Sequence, residues 1–207
     1  MENVICKNLK VDWEIGGADV PYAVVEEHQP LRGNGRLVPW PHSQKYSMGF
    51  KSEDALLDID FLVHALPYFY GGLNQASTGG AIIVSCAGEE ILARDGLVSF
   101  MIWQHVEGLK PSNLAKPIWV IEAGDDDAQI IVKPDLESGT VAIELSPERD
   151  KTVTVSLNQW IEESVKAAQS FVRFLDDVAH HPDALPEHRE TADRLSKAMC
   201  LSLAEIG

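Results

Sequence analysis

The densest group of side chains able to do chemistry lies toward the C-terminus: Asp176, Asp177, His180, His181 and His188. Asp176 and His180 are four residues apart, so on a helix they share a face. A metal centre needs three or four converging ligands, and this group lacks the spacing of a zinc motif. His180 and His181 are expected instead to complement the negative C-terminal end of a helix. No metal and no cofactor is expected. Cys86 and His105 are the second candidates, because a thiol beside an imidazole can act as nucleophile and base when the two are within hydrogen-bond reach. Cys86 lies in an apolar run, however, where a cysteine is ordinarily a small core residue. Neither G-x-S-x-G nor H-E-x-x-H occurs.

Gly71, Gly72, Gly79 and Gly80 bracket a short polar stretch and invite a phosphate-loop reading. A phosphate loop runs from a strand into a helix N-terminus, whereas here the glycines run from a helix into a strand and no Lys follows. Asp125, Asp126 and Asp127 are consecutive, not alternate as calcium ligands are, and read as a solvated turn. Glu26 and Glu27 would point to opposite faces of a strand, and Glu162 and Glu163 read as acids in the first turn of a helix. Neither pair recommends itself for acid–base work.

The elements that must position these groups follow from hydrophobic period. Leu9, Val11, Trp13 and Ile15 alternate with Lys10, Asp12 and Glu14, a strand with one wet face. Gly16 and Gly17 predict a break, and 20–26 a returning arm, so 1–50 is expected to hold an N-terminal hairpin and a loop subregion. Residues 29–43 carry Pro30, Gly33, Gly35, Pro39 and Pro41 and read as one long loop with Trp40 in it. Tyr46, Met48 and Phe50 predict a short strand. Ser52 reads as the N-cap of an amphipathic helix over about 53–66, with Glu53 and Asp54 at its positive end. Thereafter 81–87, 90–94, 97–106, 118–123, 129–133, 140–145 and 152–157 read as strands. Asp95–Gly96 is a hairpin signal, and 97–106 is apolar on both faces, as a central strand would be. Two helices close the chain, one from Ser156 or Asn158 to His180 and one opened by Pro186. Trp13, Trp103, Trp119 and Trp160 are expected in the core. The expected fold is α+β: one domain spanning 1–207, an antiparallel meander of about 7 to 10 short strands packed against three α-helices, two of them C-terminal.

Composition narrows function further. The 207 residues carry 32 acids and 17 bases, a formal net charge of −15. The acidity is distributed: 13 acids and 7 bases fall at or before Trp103, and 19 and 10 after it. Such a surface lacks the Lys/Arg clusters that neutralise phosphates, and an anionic leaflet would repel it, so neither nucleic acid nor membrane is an expected partner. From Ser52 through Ala93 there is no Lys or Arg among six acids. Cys6, Cys86 and Cys200 are few, dispersed and odd in number, which suits free thiols in a reducing compartment. With no signal-like N-terminus and no apolar run of membrane length, the expected location is the cytoplasm.

These features suit an acidic cytosolic binding protein, of the kind that neutralises a basic protein partner: an immunity protein holding a toxin, or an inhibitor. The candidate binding residues are Glu53, Asp54, Asp58, Asp60, Asp125, Asp126 and Asp127, with Trp40 as an aromatic anchor. Two alternatives stand beside it. One is a small hydrolase-like enzyme with a site built from Cys86, His105 or the His180–His181 group. The other is a structural or assembly subunit that exposes an extended apolar patch.

Overall fold

The structure is a computed structural model that describes residues 2–28, 35–40, 42–69, 73, 78–123, 129–146 and 151–206. The elements run in the order β1 (Glu2–Ile5), β2 (Leu9–Pro21), α1 (Tyr22–Glu27), β3 (Arg36–Trp40), β4 (Lys45–Lys51), α2 (Ser52–Leu57) and α3 (Ile59–Ala65). A 3-10 turn (Leu66–Tyr68) leads to β5 (Gly79–Cys86), β6 (Glu89–Leu97), α4 (Val98–Gly108) and α5 (Pro111–Leu114). Then come β7 (Trp119–Glu122), β8 (Gln129–Asp135), β9 (Thr140–Ser146), β10 (Lys151–Ser156), α6 (Leu157–His180) and α7 (Pro186–Ala204).

The α+β class is as expected, but the strands form two sheets rather than one, and among the described residues there are seven helices rather than three. One sheet has the order β1-β10-β9-β8-β7, a true antiparallel meander over β7 to β10 to which β1 adds in parallel. The other has the order β3-β4-β2-β5-β6, all antiparallel, with β2 at its centre. Helix α6 contacts β2 of one sheet and β9 and β10 of the other, and most of the buried apolar residues form one continuous cluster. Trp13 from β2 is fully buried there. Its ring meets Phe171 edge-on at 5.1 Å and Phe174 at 5.5 Å, and its indole N–H donates to Ser170 Oγ at 2.8 Å. Aromatic pairs of this kind add about 0.5–1.5 kcal/mol each beyond area burial.

Four sequence expectations change here. The N-terminal hairpin is absent. β2 runs straight through Gly16 and Gly17, which form a register shift against β4 with Gly17 at φ +74°, so the glycines bulge the strand instead of reversing it. The long loop contains β3, and Trp40 sits on that strand, paired with Lys45. Pro39 is compatible because β3 is an edge strand. Asp95–Gly96 is no hairpin: it lies inside β6, opposite Ala81 and Gly80. The turn between β5 and β6 is Ala87–Gly88, both at positive φ, the backbone that a two-residue reversal demands. Finally, 97–106 is the helix α4, not a strand. A long apolar run fits a buried helix as well as a covered strand, and α4 is wrapped by β5, β7, α6 and α7.

The C-terminal helices follow their sequence pattern closely. α6 buries Trp160, Ser164, Ala167, Ala168, Phe171, Phe174, Leu175 and Val178, a stripe that recurs at three and four residues. It begins at Leu157, so Glu162 and Glu163 lie beyond its first turn and pair with Lys166 instead. Among the described residues no helix is long and apolar enough to cross a membrane.

Candidate functional site

The acids nominated from the base-free segment are carried by α2 and α3. The single expected helix is broken at Asp58, which closes α2 and opens α3; its carbonyl accepts from the N–H groups of Phe61 and Leu62. Lys51, not Ser52, occupies the N-cap. The break divides the four acids. Glu53 and Asp60 project into solvent with side chains 82% and 81% exposed, while Asp54 is half-buried and Asp58 is buried. Asp58 thus lies buried at the helix junction and does not project into solvent as Glu53 and Asp60 do.

Nor is this segment electrostatically bare. The fold brings Lys10 of β2 to 3.7 Å from Glu53, and Lys51 of β4 pairs with Glu90. Lys10 also meets Asp12 at 2.9 Å. That hydrogen bond with the Asp12 carboxylate, and then the charges of Asp12 and Glu53, outweigh burial and raise the Lys10 pKa. Asp12, expected on the wet face of β2, is buried and also accepts the Trp13 N–H. Asp60 Oδ1 lies 3.0 Å from His181 Nε2. Asp125, Asp126 and Asp127 lie outside the described residues.

Trp40 is 56% exposed at the end of the edge strand β3, beside the exposed Val38 and Pro39. With Pro39, His42 and Ser43 it rims a shallow depression. A large aromatic side chain held out on an edge strand has the properties of an interface anchor.

The groups nominated for catalysis separate. Cys86 is bonded to Cys6, with Cα atoms 5.6 Å apart, and so carries no thiol for nucleophilic attack; among the three cysteines only Cys200 is free. The expectation of three unpaired thiols is thereby corrected, and with it the inference from cysteine usage to a reducing compartment. The bridge ties the residue after β1 to the last residue of β5, joining one sheet to the other across 80 residues of sequence. His105 lies on α4, its ring tilted against Trp160 at 4.6 Å between centroids, with Nε2 2.6 Å from Ser164 Oγ. Burial pushes its pKa down to about 4. The void beside it, lined by Asp12, Trp13, Ile102 and Ser164 among others, has room for about one water molecule.

The C-terminal group also disperses. His180 Nδ1 meets the Asp176 carbonyl within α6, as its end position predicts, Asp176 Oδ1 accepts from Ser196, and His188 is buried on α7. Among the described residues no three His, Cys, Asp or Glu side chains are placed to hold a metal. What sequence reading missed is a second histidine group. His28 at the end of α1 stacks face to face on His64 of α3, with centroids 3.6 Å apart. Burial, and then the neighbouring His28, lower the His64 pKa. Residues 36 apart carry no periodic signal of such a contact.

Comparison with protein-family models, with curated proteins and with solved structures finds no match.

Proposed function

We propose that this chain is an acidic binding protein that captures a basic protein partner, in the manner of an immunity or inhibitor protein. The observation that carries the reading is the state of its bases. Among the described residues, eight of the chain's 17 Lys and Arg (Lys10, Arg36, Lys45, Lys51, Lys110, Lys133, Lys166 and Lys197) are engaged in ion pairs within the chain. Engaged bases offer little to an outside anion, while acids such as Glu53 and Asp60 stand exposed on a chain of formal net charge −15. A field of that sign accelerates encounter with a cationic surface and repels nucleic acid. Glu53 and Asp60 are the projecting acids that meet the partner, and Trp40 supplies the apolar anchor that steering alone lacks.

The test is recovery of the partner by affinity purification with mass spectrometry, followed by reassociation of the two purified proteins. A basic partner is expected, with an association rate that falls steeply as salt rises and drops about tenfold when Glu53 and Asp60 are both reversed to Lys. An acidic partner would sink the proposal. So would a basic one whose binding ignores both salt and the reversed charges.

A further inference from the structure

Helices α4 and α7 do not close on one another completely. Between them lies a pocket of about 290 Å³, lined by Ser99, Phe100, Trp103, Phe171, Leu195, Ala198 and Met199. Its floor is Phe171 of α6, fully buried. Its wall on α4 is the stacked pair Phe100 and Trp103, with ring centroids 6.3 Å apart. Trp103, which periodicity places in the core, is instead 43% exposed at the mouth. The size and the mainly apolar lining are those of a small-molecule site.

Two observations give the pocket chemical character. Among the described residues no charged side chain lines it, so a charged ligand entering it would lose hydration without a partner. Of the two lining side chains with polar atoms, Ser99 and Trp103, the Ser99 hydroxyl, buried in the first turn of α4, has no hydrogen-bond partner in the protein. Buried hydroxyls are ordinarily satisfied, and an orphan in the wall of an apolar pocket marks where a ligand's polar atom belongs. The aromatic wall, the Phe171 floor and the polarizable Met199 thioether favour a flat π-surface.

We propose that this pocket binds a small neutral aromatic molecule bearing one hydrogen-bonding group, which pairs with the Ser99 hydroxyl. The site lies apart from Glu53, Asp60 and Trp40 in the chain and does not depend on partner capture.

The experiment uses N-phenyl-1-naphthylamine, a neutral aromatic probe with one N–H, titrated into the full chain and followed by its own emission and by Trp103 quenching. Saturable binding of one probe per chain is expected. Ala198→Trp, which adds a ring at an exposed position on the rim, is expected to weaken binding more than tenfold while leaving the circular dichroism and melting temperature unchanged. Ser99→Ala is expected to weaken it about 3- to 10-fold, the range of one hydrogen bond. Absence of saturable binding overturns the proposal, as does an Ala198→Trp variant that binds like the parent. Equal affinity in Ser99→Ala overturns the assigned contact. One probe per two chains would assign the pocket to a contact between copies and overturn it as a ligand site.

Discussion

His105 Nε2 on α4 lies 2.6 Å from Ser164 Oγ on α6, and the direction of this buried hydrogen bond is determined by its neighbour. The Ser164 hydroxyl donates its only proton to the Trp160 carbonyl, so it must accept from the imidazole. His105 is therefore neutral with its proton on Nε2, and its bare Nδ1 is buried without a partner.

This state makes stability depend on pH. Burial holds the His105 pKa at about 4 in the folded protein, against 6.5 ordinarily. Below pH 6.5 the unfolded chain takes up a proton that the folded one refuses. Stability is thus full above about 6.5 and falls as pH drops toward 4, by about 3 kcal/mol at most. Burial lowers the His64 and His188 pKa values too, and both add to the trend. Urea unfolding of the parent and His105→Phe at pH 7 and pH 4.5 checks this. The ring volume against Trp160 is kept in the variant, and its loss on acidification should be clearly smaller. An identical slope would refute the assignment.

The Cys6–Cys86 bridge should be detectable and stabilising. Denatured, unreduced protein is expected to show one free thiol per chain, that of Cys200; three would exclude the pairing. Loop-entropy arguments for a separation of 80 residues put the stabilisation at up to about 4 kcal/mol. The double variant Cys6→Ser, Cys86→Ser should therefore melt well below the parent, and Cys200→Ser should melt with it.

Gly96 marks where the two sheets touch. Leu97 N–H donates to the Ala123 carbonyl at 2.9 Å, and a Cβ at Gly96 would stand 2.2 Å from that same oxygen. Backbone on both sides cannot rotate away as a side chain can. Gly96→Ala is expected to destabilise the protein by about 1–3 kcal/mol. A thermal melt equal to the parent's would show that the β6–β7 junction gives way freely.

The α2–α3 acids should divide into two classes. Glu53→Lys and Asp60→Lys, at exposed positions, are expected to change stability by no more than about 0.5 kcal/mol each, so any binding defect is attributable to charge. Asp58→Lys places a cation in a buried helix junction and is expected to cost about 3 kcal/mol or more. Denaturant midpoints of the three variants decide the matter, and equal values would remove the distinction.

Some of this was determined by local sequence alone. The period of α6, the alternation in β2 and β4 and the Pro186 start of α7 are short-range patterns, and backbone and side-chain geometry impose them within a few residues. The excess of acid is likewise a count that folding leaves unchanged. Tertiary structure decided whatever depends on a partner distant in sequence. A strand became the helix α4 because an apolar run takes its conformation from what covers it. Cys6 found Cys86 and His28 found His64 because chain ends with no periodic relation converge. The base-free stretch acquired Lys10 and Lys51 from other strands, so its charge in space differs from its charge in sequence. For the candidate site, composition alone indicated an acidic surface. The division of its acids into exposed Glu53 and Asp60, half-buried Asp54 and buried Asp58 came from the break between α2 and α3, which no count of residues contains.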